Sequence, residues 1–295
     1  MNNSLNHEIP EALLDRLGLQ PHRQGNAVKD TRPFQERLSR NGKLMPSLED
    51  AIRATGLEDG MTISFHHHFR SGDYLLNLVV DKLAQMGYRN LKIAASSLSD
   101  VHAPLISHLK NGVVTRIETS GLRGKLADEV SHGLMAEPVI FRSHGGRASA
   151  IANGSLHIDV AFLGAASADA LGNASGYYHN AEGKSMCGSL GYAQVDARYA
   201  DKVVIITDNL VTYPNTPFSI AATDVDYVVK VEAVGDSNKI SSGATRFTAN
   251  PRDLLIAENA AKVVMASGYF NDGFSLQTGS GGAALAVTRF IKEEM

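Results

Sequence analysis

The sequence predicts an α/β protein, a mostly parallel sheet covered by helices. Three observations carry that expectation. Short apolar runs return at 61–65, 91–95, 113–117, 139–141 and 158–163. Segments with helical spacing lie between them at 74–86, 101–110, 126–134 and 146–153, and strands alternating with helices build a parallel sheet covered on both faces. The residues that follow most of the runs are Ser, Gly, Asp, His and Arg rather than plain turn formers. Parallel strands bring such ends to one edge, where ligands bind beside helix N-termini.

Taken in order, residues 1–43 are polar, carry Pro10, Pro21 and Pro33, and sustain no period. They read as an irregular arm. A short helix is expected over 48–56, leading to an Asp59-Gly60 turn. The run at 61–65 then breaks into His66-His67-His68-Phe69-Arg70-Ser71-Gly72-Asp73 and feeds a helix whose apolar face is Leu75, Leu76, Val79, Val80 and Leu83. Residues 203–207 and 225–231 are β-branched and should be further strands. A well-capped helix is expected over 251–267, with Asn250 as N-cap, Pro251 at N1 and Gly268 as stop. A glycine-rich loop over 273–282 leads to a last helix from 283. The expected division is an arm over 1–43, a first α/β domain over 44–270, and the start of a second, truncated domain over 271–295.

Composition excludes several classes. With 43% hydrophobic and 20% charged residues, the chain has the makeup of an ordinary globular protein. Its net charge of -3 provides no basic field for nucleic acid or an anionic membrane. No apolar run approaches the roughly 20 residues of a membrane span. Cys187 is the single cysteine, so no internal disulfide exists, which suits a reducing cytoplasm. The first residues lack a signal-peptide pattern.

The candidate site gathers at strand ends. His66, His67, His68 and Arg70 would place up to four cationic donors in five positions, a mouth for a small, multiply charged anion. Arg123 and Arg147 offer the planar fork that matches a carboxylate. His144, between Arg142-Ser143 and two glycines, has little packing value, while surface ion pairing is the alternative for Arg123 and more so for Arg142. Ser97 belongs to a serine-rich strand end that either caps the next helix or meets a ligand. Backbone amides in the loops of Gly121, Gly145 and Gly146 are candidate donors to an oxyanion. A histidine zinc set is the alternative for 66–68, disfavoured because adjacent strand residues face opposite ways; no metal is expected. No Gly-x-Ser-x-Gly elbow is present. Gly279-Ser-Gly-Gly-Ala-Ala284 satisfies Gly-x-Gly-x-x-Ala, which leaves open a nicotinamide-dependent oxidoreductase or an acyl-binding loop through Gly281 and Gly282.

Together these stretches resemble the α subunit family of citrate lyase, from about Leu48 to Met295. The residues that carry the resemblance are Ser64-Phe-His-His-His-Phe-Arg-Ser-Gly-Asp73, Ser96-Ser-Leu-Ser-Asp100, Val114-Thr-Arg-Ile117 and Thr119-Ser-Gly-Leu-Arg-Gly124. They continue with Ser143-His-Gly-Gly-Arg147, Cys187-Gly-Ser-Leu-Gly-Tyr192, Gly243-Ala-Thr-Arg246 and Gly273-Phe-Ser-Leu-Gln-Thr-Gly-Ser-Gly-Gly282. The turn at Asp169…Gly172-Asn173 is similar to one shared more widely among CoA-transferases.

The resemblance implies a CoA-transferase-like fold (the NagB/RpiA/CoA-transferase-like class) of two similar domains. It implies that citrate displaces acetate from an acetyl thioester, giving citryl thioester and acetate. The thioester rides on a CoA-like arm, phosphoribosyl-dephospho-CoA, of an acyl carrier γ subunit. A β subunit then cleaves the product to oxaloacetate within an oligomeric complex. It implies no cofactor held tightly by the chain itself. Members of that family run well beyond the length seen here, so the chain is expected to be partial, and a non-catalytic scaffold half is the rival to an active enzyme.

Overall fold

The computed structural model describes residues 42–66, 68–178, 190–240, 247–279 and 281–295, with 8, 10–12 and 15 besides. Most of the expected arm over 1–43 therefore lies outside the described residues. Residues 37–295 form one compact unit.

Its strands in chain order are β1 (Leu44–Met45), β2 (Thr62–Phe65), β3 (Leu91–Ala95), β4 (Val114–Thr119), β5 (Ile140–Phe141), β6 (Val160–Ala165), β7 (Ser167–Asp169), β8 (Ala174–Ser175), β9 (Lys202–Thr207), β10 (Leu210–Val211) and β11 (Tyr227–Lys230). Eight of them make one sheet in the order β1-β11-β9-β6-β2-β3-β4-β5, and every pairing in it is parallel. From β2 the chain builds outward through β3, β4 and β5, then returns to β2 and builds the other way through β6, β9 and β11. The order reverses between β2 and β6, and in open α/β sheets that is where ligands bind.

The helices are α1 (Leu48–Thr55), α2 (Leu75–Gln85), α3 (Leu105–Lys110), α4 (Gly124–Ser131), α5 (His144–Ala152), α6 (Ala193–Tyr199), α7 (Pro251–Met265) and α8 (Gly282–Glu293). Alternation along the strands explains how they cover two faces. Val160 and Phe162 of β6, with Val204 and Ile206 of β9, join the core beneath α1 to α4. Ala161 and Leu163, with Val203 and Ile205, join a second core beneath α5 and α6. Because both faces are buried, the strands read as continuous apolar runs rather than as an alternating pattern. Phe65 stacks on Phe162 across β2 and β6, with ring centroids 5.8 Å apart.

The caps behave as sequence chemistry requires. The Asn250 side chain accepts from the Arg252 amide and Pro251 opens α7, while Ser47 accepts from the Asp50 amide at the start of α1. Four features differ from the sequence expectation. β1 is two residues long, too short to show a pattern, and exists because Leu44 and Met45 pair with Val228 and Val229. A small second sheet, β10-β7-β8, stands beyond the ends of β6 and β9. Helix α6 escapes the periodicity because its first turns follow a glycine-rich stretch. Helix α5 begins at His144 rather than at 146, because Ser143 caps it by accepting from the Gly146 amide at 3.0 Å. Among the described residues no helix is long and apolar enough to cross a membrane.

Candidate functional site

The loops after β2, β3, β4 and β5 share the carboxyl edge of the sheet with the loop after β6. His66 leaves β2 and reaches across that point: its Nε2 lies 3.2 Å from the carbonyl oxygen of Gly164 in β6. The residue is 5% exposed. Burial depresses its pKa, and Asp73 opposes that shift without overcoming it. His66 is therefore neutral near pH 7, with Nε2–H donating to Gly164, and the expected count of cationic donors falls accordingly. His67 lies outside the described residues. His68 is buried and packs edge-on against Phe69, ring centroids 4.6 Å apart. Arg70 sits in a 3-10 turn with φ of +52°, exposed to solvent.

Beneath this loop Asp73 is buried and accepts from the Leu75 amide at 2.9 Å, which holds the start of α2. His102 accepts from the Ser99 amide through Nδ1 at 3.0 Å, so the neutral tautomer carries its proton on Nε2, 3.8 Å from Asp73. The loops after β3 and β4 are joined by two backbone bonds: Leu98 N–H to Gly121 O at 2.8 Å, and Arg123 N–H to Leu98 O at 3.1 Å. That pairing brings Ser97 against Gly121, where a Cβ would meet the Ser97 hydroxyl. The amide of Gly121 is bonded to the Thr119 hydroxyl at 3.3 Å, so it is not an open oxyanion donor. Arg123 stands immediately before α4, exposed at the position where the loop meets the helix. Gly124, with φ of +67°, follows it because a Cβ there would collide with the Asp100 carboxylate.

Helix α5 supplies the other side. His144 is exposed, its ring 5.5 Å from that of Tyr192. With Gly146 bonded to Ser143, the amides of His144 and Gly145 remain first-turn donors without an intrahelical acceptor. Arg147 is placed differently from the expectation of a substrate contact. It is 1% exposed and bidentate to Asp196 of α6, at 2.7 and 3.0 Å, with a further bond to the Ala94 carbonyl at 3.1 Å. Its fork ties α5 to α6 and to the end of β3. Asp196 escaped the sequence reading, although an acid between Ala193 and Ala197 on the buried face of a helix signals a buried cation. Arg142 pairs with Glu118, which Lys92 also holds at 2.7 Å. Burial pushes the Glu118 carboxyl up, but these two cations outweigh it and hold its pKa below the usual carboxylate range. Gly281 and Gly282 open α8, which packs on α7. Residues 274–279 before them form no strand, so the strand–loop–helix context of a dinucleotide site is missing there. Cys187 lies outside the described residues.

Of the predicted site residues Arg70, Arg123 and His144 are exposed, whereas His66, His68 and Arg147 are buried. A family model described as citrate lyase, alpha subunit, matches residues 41–295. The chain belongs to the citrate lyase alpha subunit family. The citrate lyase alpha chain of Haemophilus influenzae is 57% identical over 94% of this chain and 55% of its own length. That of Klebsiella pneumoniae is also 57% identical, over 94% and 54%. The chain therefore spans about half the length of the curated citrate lyase alpha chains it matches. A Streptococcus mutans structure described as the alpha subunit of citrate lyase in complex with citrate superposes with a TM-score of 0.81 at 53% identity, covering 100% of this chain and 57% of that one. The same CoA-transferase-like fold appears at 15% identity in an acyl-CoA transferase from Escherichia coli, TM-score 0.55, covering 88% of this chain and 61% of that chain.

Proposed function

We propose that this chain forms the citrate-binding part of a citrate:acetyl thioester transferase, acting in the cytoplasm within citrate lyase. The observation that carries the reading is the set of exposed donors that follow β2, β4 and β5 at the carboxyl edge of the sheet: Arg70, Arg123 and the N-terminus of α5. Its support is the 53% identical Streptococcus mutans structure solved with citrate. Citrate has three carboxylates. Arg123 and Arg70 would hold two of them, with His144 and the Gly145 amide at the helix end and the third carboxylate left free. Arg147, on this reading, positions α5 rather than touching the substrate.

The free carboxylate oxygen attacks the acetyl thioester carbonyl, forming a mixed anhydride and releasing the thiolate. The thiolate then attacks the citryl carbonyl of the anhydride, giving citryl thioester and acetate. No general base is needed, because the attacking carboxylate is already ionised near neutral pH. Orientation supplies up to about 7–11 kcal/mol in well-aligned cases. The thioester would arrive on the phosphoribosyl-dephospho-CoA arm of the acyl carrier γ subunit, and the β subunit would cleave the product. We also infer that a second CoA-transferase-like domain begins near residue 271; limited proteolysis between α7 and α8 would support that boundary. The test of the whole reading is mass-spectrometric detection of citryl thioester after mixing the chain with citrate and acetyl-CoA. Product supports it; absence of product from both this chain and a full-length relative bearing the same donors removes it.

A further inference from the structure

We propose that the segment after β11 is a strap that fixes Arg70 for a citrate carboxylate, which makes Gly72 and Gly235 positioning residues; this rests on the citrate reading above. In the sheet β9 and β6 stand between β11 and β2. Residues 231–236 cross that interval and clasp the loop that follows β2. The Val231 amide donates to the Thr207 carbonyl at the end of β9 at 2.9 Å, and the Val234 amide to the Asp208 carboxylate at 3.1 Å. Beyond β6 the Tyr74 amide donates to the Val234 carbonyl at 3.2 Å, and the Asp236 amide to the Gly72 carbonyl at 2.8 Å. Asp73 and Gly235 form an antiparallel bridge between these two bonds.

The two segments meet at glycines because no side chain fits between them. A Cβ on Gly72 would collide with the Asp236 carbonyl. One on Gly235 would stand 2.5 Å from the Gly72 carbonyl oxygen and 2.7 Å from the Phe69 ring. Phe69, itself buried, precedes Arg70, and Gly72 closes the 3-10 turn that Arg70 opens. Gly235 therefore grips the chain on both sides of Arg70.

Between those grips Arg70 has φ of +52°, a left-handed backbone that glycine adopts freely and arginine does not. Among the described residues one other non-glycine shares it, Asn90, of a type that tolerates the conformation. A strained backbone persists where its surroundings over-determine it, and the strap is that surrounding. The Arg70 side chain is exposed, so it adds nothing to the core. What an arginine provides at a position suited to glycine is its guanidinium. The strap gives that group a fixed root, and so reduces what citrate must order on binding.

Calorimetric titration of citrate into a set of variants tests the coupling. Arg70→Ala removes a charge-assisted contact and should weaken citrate roughly tenfold or more. Gly235→Ala, with Arg70 retained, should weaken it about threefold or more, because the root of the arginine shifts. The background decides the cause. Joined to Arg70→Ala, Gly235→Ala should change citrate affinity by less than about twofold, since no guanidinium remains to be placed; joined to Arg123→Ala it should keep its full effect. A general loosening of the sheet edge would give equal losses in both backgrounds, and that result overturns the strap assignment. So does a Gly235→Ala protein that binds citrate like the parent.

A second readout needs no citrate. Arg70→Gly relieves the left-handed turn and should melt roughly 2–4 °C above Arg70→Ala. Equal midpoints would show that the strap imposes no strain on Arg70 and would overturn the assignment even where Gly235→Ala fails to fold. If Arg70→Ala binds citrate like the parent while Arg123→Ala does not, the strap assignment falls and the citrate reading stands. A parent chain that binds no citrate removes both.

Discussion

Arg147 and Arg123 stand at the same edge of the sheet, and their surroundings differ in every respect that matters to a ligand. Arg147 is 1% exposed, with its fork closed on Asp196 and the Ala94 carbonyl. Arg123 reaches solvent, and its side chain has no ion pair among the described residues. The same contrast separates Arg142, closed on Glu118, from Arg70. A buried cation must carry its counter-charge with it, because removing an ion from water costs more than a hydrogen bond returns. An exposed one can wait for the substrate. The carboxyl edge of the sheet therefore carries closed, structural arginines as well as exposed ones that the proposed function assigns to binding, and residue type alone does not tell them apart.

The contrast predicts its largest effect at the closed arginine. Asp196→Ala leaves Arg147 buried without a partner and should lower unfolding free energy by about 3–5 kcal/mol. Replacing both, Arg147→Met with Asp196→Leu, should cost less than the single change. Urea denaturation of the three proteins measures this. A loss under about 1 kcal/mol in Asp196→Ala would mean that water replaces the carboxylate, and that the pair is not closed.

At the exposed arginine the effect moves from stability to binding. Arg123→Ala removes one charge-assisted contact, worth about 1.5–3 kcal/mol, and should weaken citrate roughly 10–100-fold. Its unfolding free energy should stay within about 0.5 kcal/mol of the parent. An unchanged citrate affinity would take Arg123 out of the citrate site.

How much of this was legible in the sequence depends on the feature. The order of strands and helices followed from periodicity, because short apolar runs alternating with helical spacing leave few alternatives. The solvent-facing placement of Arg123 and His144 agrees with their glycine-rich neighbours. The pairing of Arg147 could not be seen in its own motif, since its partner lies 49 residues away on a helix that periodicity does not reveal. The same holds for Asp169, whose motif reads as a turn or as the shape of a loop against a thioester cofactor, while its bond to Asn215 spans 46 residues. Local chemistry is written locally, whereas a buried polar network depends on topology.

A third test uses pH. His66 has a depressed folded pKa, so between that value and the unfolded value of about 6.5 the unfolded chain binds a proton that the folded one refuses. Stability should therefore fall as pH drops below about 6.5, by up to about 1.4 kcal/mol per unit. Glu118, also depressed, contributes stability that is present above the unfolded value of about 4.3 and lost as pH falls through its folded value. His66→Gln should flatten the first slope and leave the second. Superimposable profiles of parent and variant below about pH 6.5 would show that burial does not keep His66 neutral.

The smallest effect should be at His144, and it decides what the end of α5 contributes. Its ring is exposed beside Tyr192, and the amide of Gly145 follows it in the same first turn. If the amides and the helix dipole are the main donors, His144→Ala keeps them and should weaken citrate only about two- to fivefold, within the 0.3–1 kcal/mol expected of a surface group near a helix end. Ser143→Ala would instead unseat the cap, costing about 1 kcal/mol of stability, and should disturb citrate more than His144→Ala does because the turn that aims the amides loosens. Calorimetric titration of citrate into both variants separates the two sources. A loss in His144→Ala as large as that in Arg123→Ala would make the imidazole itself a principal carboxylate partner and move the centre of the citrate site onto α5.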